Sequence, residues 1–161
     1  MLIKDSLVNK LLEGDELGFV SILPNSIITA EELEFLLFSA IDEECDKAIR
    51  AIVKKGVSLD CKESESQLGL TAIQVAIDNE VISYTEKYLN DYLPMSIDVI
   101  SLLVDLGFDP LTENLMGVNS VEFAASRNHY EAYNYLLKVY PDLKKSFRPF
   151  SRPEKPKKWG L

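Results

Sequence analysis

Residues 69–110 constrain the fold of this chain more than any other stretch. They open with Gly69-Leu70-Thr71-Ala72-Ile73-Gln74-Val75-Ala76 and close with Ile97-Asp98-Val99-Ile100-Ser101-Leu102-Leu103-Val104-Asp105-Leu106-Gly107-Phe108-Asp109-Pro110. The first piece, from Thr71 on, reads as the start of a short helix. In the second, apolar residues recur at helical spacing until Gly107 and Pro110 stop them. A similarly built opening, Gly117-Val118-Asn119-Ser120-Val121-Glu122-Phe123-Ala124-Ala125, begins 48 residues after Gly69. The building unit is thus a short helix, a turn and a second short helix. Such a pair cannot bury its apolar stripe alone and has to stack on neighbours.

The same punctuation runs through the rest of the chain. Ile3, Leu7, Val8, Leu11 and Leu12 mark one helix, interrupted at Gly14-Asp15. Leu17, Val20 and Leu23 mark the next, stopped at Pro24. Thr29 with Glu32 reads as a capping box ahead of a helix carrying Leu33, Leu36, Leu37, Ala40 and Ile41. A partner helix from about Glu44 to Lys55 ends at Gly56, a candidate left-handed residue. The polar loop 61–68 follows. Residues 81–93 read as an amphipathic helix closed by Pro94, with Val81, Tyr84, Tyr88 and Tyr92 on one stripe.

These residues resemble the ankyrin repeat. Gly69 to Ala76 is similar to G-x-T-P-L-H-x-A, with Ala72 for the proline and Gln74 for the histidine that ties neighbouring repeats together. The second substitution predicts weaker stacking hydrogen bonds. Gly56-Val57-Ser58-Leu59-Asp60 and Gly107-Phe108-Asp109-Pro110 resemble the family's closing turns, and Asn128-His129-Tyr130-Glu131 resembles its G-H-x-E turn. The resemblance covers residues 3–143 and implies an all-α solenoid of about four helix pairs, at about 2–28, 29–66, 67–114 and 115–143. The spacing of 48 exceeds a 33-residue repeat by 15, which predicts an extra helix inserted over 80–94. His129 is expected to hydrogen-bond within its own turn.

Charge narrows the function. The formal net charge is −9, from 17 basic and 26 acidic residues. Seven of the basic residues lie in the Pro-rich segment 144–161 against one acid, Glu154, which leaves residues 1–143 with 10 basic and 25 acidic side chains, a net of −15. A body that negative repels phosphate backbones and attracts cationic partners. Segment 144–161, with Pro149, Pro153 and Pro156, reads as an extended basic tail that tethers a partner, solubilises the chain or folds back on the acidic body.

Chemistry is sparse. One histidine rules out His/His metal sites, and the seven glycines are scattered as punctuation rather than gathered into a phosphate cradle. Cys45 and Cys61 read as reduced structural thiols. Neither a cofactor nor a metal is expected, nor catalysis, nor a nucleic-acid, membrane or small-molecule partner. No run approaches a membrane span, and Met1-Leu2-Ile3-Lys4-Asp5 lacks the pattern of a secretory signal, so the expectation is a cytoplasmic protein.

In ankyrin repeats the finger loops and the first helices bind proteins, so the resemblance implies a protein-binding module. Its candidate contacts are Glu63, Glu65, Asp78, Glu80, Glu113 and Glu122, with Tyr84 and Tyr88 either facing the partner or packed inward. The specific expectation is an acidic inhibitor or immunity-type protein that neutralises a basic protein such as a toxin. The alternative is a scaffold or host-directed adaptor without inhibitory role.

Overall fold

The computed structural model describes residues 2–87 and 93–155. The described residues form an all-α fold of eight helices: α1 (Ile3–Leu12), α2 (Glu16–Ile22), α3 (Ala30–Asp42), α4 (Asp46–Lys55), α5 (Ala72–Lys87), α6 (Asp98–Asp105), α7 (Ser120–Ser126) and α8 (Tyr130–Val139). Short 3-10 turns follow at Leu23–Asn25 and Pro141–Lys145. Among the described residues the only β pairing is an isolated bridge between Lys62 and Thr71 that closes the loop before α5. No helix there is long and apolar enough to cross a membrane.

Consecutive helices pair as α1–α2, α3–α4, α5–α6 and α7–α8, and α1, α3, α5 and α7 pack in succession as one row. The turns inside three pairs are alike. Gly14, Glu44 and Asn128 each take a positive φ. The next residue's N–H then bonds back five residues, from Asp15 to Lys10, Cys45 to Ala40 and His129 to Ala124. Each turn reverses the chain while satisfying a carbonyl that the ending helix would leave bare. The core runs unbroken through these pairs, from Leu7 and Phe19 through Leu36, Ile49, Ile73 and Leu103 to Val121 and Leu136.

Caps fall where the residues predict them, with one change of partner. Thr29 Oγ1 accepts from Glu32 N–H at 3.1 Å, but the Glu32 carboxylate accepts from the Thr29 hydroxyl rather than from its backbone N–H. Asn119 accepts from Glu122 N–H at 3.0 Å and Thr71 from Gln74 N–H at 3.4 Å. Gln74 also reaches across 44 residues, its Nε2 donating to the Val118 carbonyl at 2.8 Å. The residue expected to weaken contact between neighbouring pairs therefore makes one such bond itself.

The inserted helix is corrected. Residues 80–87 do not start a new helix; they continue α5 by about two turns, because Asn79-Glu80-Val81-Ile82 holds neither glycine nor proline to stop it. Tyr88 and Tyr92 lie outside the described residues. The basic tail, as far as it is described, lies on the body: Phe147 and Phe150 pack against α8, and Arg152 pairs with Glu131.

Candidate functional site

A groove of about 680 Å³ lies between α3, the loop 61–70 and α5. Glu31, Glu34 and Asp42 line it from α3, Glu63 and Glu65 from the loop, and Asp78 from α5, with Lys62 as the one basic residue among the described lining. Phe35 is 38% exposed there, and Phe38 is half-buried beside it. Helical geometry explains the α3 wall. Leu33, Leu36, Leu37, Ala40 and Ile41 turn to the core, so positions 31, 34, 35, 38 and 42 share the opposite face.

The groove acids differ in what they can still do. Glu63 shapes the loop: its carboxylate accepts from Glu65 N–H at 2.9 Å, Ser66 N–H at 3.1 Å, Leu70 N–H at 3.2 Å and the Ser66 hydroxyl. Burial alone would push its carboxyl up, but the Ser66 hydroxyl and these backbone donors outweigh it and hold the group below the usual range. Asp78 faces Arg127 at 3.4 Å across a partly exposed gap, and Asp42 accepts from Asn79 at 2.8 Å. Glu31 and Glu65 stand exposed at the rim.

The structure brings Glu63, Glu65 and Asp78 together in this groove and separates the other expected residues. Glu80 lines a second groove of about 580 Å³, with Glu16, Glu44, Asp46 and Asp98 around it, and accepts from Ser96 N–H at 3.0 Å. Glu113 and Glu122 are exposed but line neither groove. Tyr84 is only 3% exposed, with Arg152 over its ring at 4.9 Å, so it packs inward. The sequence reading missed Glu31, Glu34, Phe35, Phe38 and Asp42; their shared helical face was the available signal.

His129 is fully buried and caps α8, its Nδ1 accepting from Ala132 N–H at 3.1 Å. Burial pushes the ring down to about 4, against the opposing pull of Glu131, so it is neutral at pH 7. Among the described residues no group of three or more His, Cys, Asp and Glu is placed to hold a metal ion. No protein-family model matches the chain, and no curated protein matches it either.

Proposed function

We propose that the helix pairs form an ankyrin-type stack whose acidic groove binds a basic protein, with inhibition of a cationic toxin-like partner as the specific role. The α3–loop–α5 groove carries the reading: six carboxylates against one lysine, with Phe35 exposed among them. Carboxylates draw a lysine- or arginine-rich segment in from about a Debye length away, and the phenylalanines give it something apolar to settle on. Lys4 already lies over the Phe35 ring at 4.8 Å, the kind of contact that a partner's basic side chain would make in its place. The equivalent turns at Gly14, Glu44 and Asn128, and the Gln74 link to the last pair, support a repeat stack. A binder rather than a catalyst fits a chain whose one histidine is sealed inside a turn.

The test is co-purification of the full chain from its native cell, followed by binding and activity assays of the captured partner at two salt concentrations. The expected partner is basic and inhibited at one-to-one stoichiometry. Glu31→Lys with Glu65→Lys should weaken binding by roughly 5- to 30-fold, at about 0.5–1 kcal/mol for each exposed charge. A neutral or acidic partner, or binding indifferent to both substitutions and salt, defeats the proposal. A basic partner that is bound without loss of activity would favour the adaptor reading.

A further inference from the structure

The outer face of α8 packs against part of its own chain that has neither helix nor strand, residues 147–152. Three side-chain bonds hold that segment's backbone. The Tyr133 hydroxyl donates to the Arg148 carbonyl at 2.8 Å. The Asn134 amide reads both sides of Phe150, donating from Nδ2 to its carbonyl and accepting its N–H on Oδ1 at 3.3 Å. The Phe150 ring meets Tyr130 edge-on at 4.8 Å and Tyr133 at 4.4 Å.

Two residues further on, the Arg152 guanidinium lies between two tyrosine rings, 4.9 Å from the centroid of Tyr84 and 5.0 Å from that of Tyr130. It forks onto Glu131, Nε to Oε1 at 2.9 Å and Nη2 to Oε2 at 3.1 Å, and its side chain is 9% exposed. Tyr84 comes from α5 and the other groups from α8, so two helix pairs converge on one arginine. An amide that pairs with an extended backbone, an aromatic anchor, and a planar fork inside an aromatic box are the means by which proteins read peptides. Pro149 and Pro153 keep such a segment extended at low entropic cost.

We propose that Tyr84, Tyr130, Glu131, Tyr133 and Asn134 form a second binding surface, for an extended peptide carrying an aromatic residue and, two positions later, an arginine. The chain's own Phe150 and Arg152 fill it in cis. A partner with the same pattern enters by displacing them, and its apparent affinity is reduced by the fraction of molecules in which the surface is open. This surface is separate from the acidic groove and stands whether or not the groove reading does.

The experiment uses the full chain with Phe150→Ala and Arg152→Ala, and a fluorescently labelled peptide of residues 146–155 as the probe, read by anisotropy. The double variant should bind the peptide at least tenfold more tightly than the wild-type chain. Adding Glu131→Gln to it should cost roughly tenfold, the loss of one charged fork. Equal binding to wild type and folded variant, or indifference to Glu131→Gln, overturns the proposal. Should circular dichroism show the double variant unfolded, a protease site placed between Ser146 and Phe147 gives a nicked chain. Exchange of the labelled peptide into it supports the surface; a native segment that excess peptide cannot chase out overturns it. Dimerisation of the wild-type chain by exchange of this segment would assign the surface to a second copy and overturn the foreign-partner reading.

Discussion

Acid should weaken this protein through His129 well before its carboxylates protonate. The ring is fully buried, and its Nδ1 is committed to the Ala132 N–H, which leaves the proton on Nε2. Among the described residues Nε2 is sealed from solvent with no well-formed hydrogen bond, and only the Ser96 backbone offers it a weak polar contact. A second proton would charge the ring inside the core and remove the cap of α8. Burial is the main cause of the fall from 6.5 to about 4; Arg152 adds to it, while Glu131, 3.7 Å away, and the Ser96 backbone oppose it. The unfolded chain binds a proton near 6.5 and the native chain does not, so between these values the unfolded state holds more protons and stability falls as pH falls. At about 1.36 kcal/mol per pH unit the loss is about 2 kcal/mol between pH 7 and 5 and about 3 kcal/mol by pH 4, out of a typical total of about 5–15 kcal/mol. Asp15, Asp60, Glu63 and Glu131 are all held below their ordinary values of 3.8 and 4.5, so their contributions start to fall only near those values, below most of the histidine's range, and are lost as pH drops further. Urea unfolding at constant ionic strength, followed by far-UV circular dichroism, measures the slope. The NMR titration of the chain's one histidine measures the ring itself. His129→Asn, which keeps a capping side chain, should flatten the slope between pH 7 and 5. A histidine titrating near 6.5, with stability unchanged over that range, would refute the burial argument.

Two further outcomes follow from single residues. Gly69 has φ +56, and a Cβ there would lie 2.5 Å from Leu115 Cγ, whose backbone N–H is tied to the Leu68 carbonyl at 3.0 Å. Gly69→Ala should cost about 2 kcal/mol, about half of it from the left-handed backbone; adding Leu115→Ala should recover the steric half, and a double variant no more stable than the single one refutes this. Burial, reinforced by Glu16 near Cys45 and Glu34 near Cys61, pushes the thiols up to about 11 and about 12. Both cysteines should therefore react with Ellman's reagent at least about a hundredfold more slowly in the native protein than in urea, and equal rates would show that the thiols are open.

The helix pairs were legible because their boundaries are chemical. Pro24, Gly56 and Gly107 stop helices whatever surrounds them, and Thr29 and Asn119 start them by local hydrogen bonds. The break expected at residue 80 rested on the length of a repeat and on a fresh apolar stripe from Val81, with no residue there that stops a helix, and α5 ran on through it. The groove was half legible. The acids of the loop and of α5 stood out by charge, but α3 was read only from its core stripe, so Phe35 and Phe38 on its other face went unseen. Segment 144–155 was read by its prolines and basic residues, Arg152 counted only as charge. Phe147 and Phe150, which with Arg152 decide where it lies, are the minority in that composition.

Acid content alone overstates how much charge this protein can offer a partner. Glu63 spends its carboxylate on four donors of its own loop, Glu131 is forked by Arg152, Asp15 is held by Lys10 and the Gly18 N–H, and Asp78 shares its charge with Arg127. These groups still contribute to the long-range field that steers a cation toward the surface, because a field sums over charges whether or not they are hydrogen-bonded. They contribute less to holding it, since a carboxylate already saturated by donors has few lone pairs left for a new one. The exposed groove acids are worth at most about 1 kcal/mol each in water. In the complex proposed above, tight binding would therefore have to draw on Phe35, Phe38 and the loop that Glu63 shapes, with charge setting the rate of encounter and apolar contact setting how long the complex lasts.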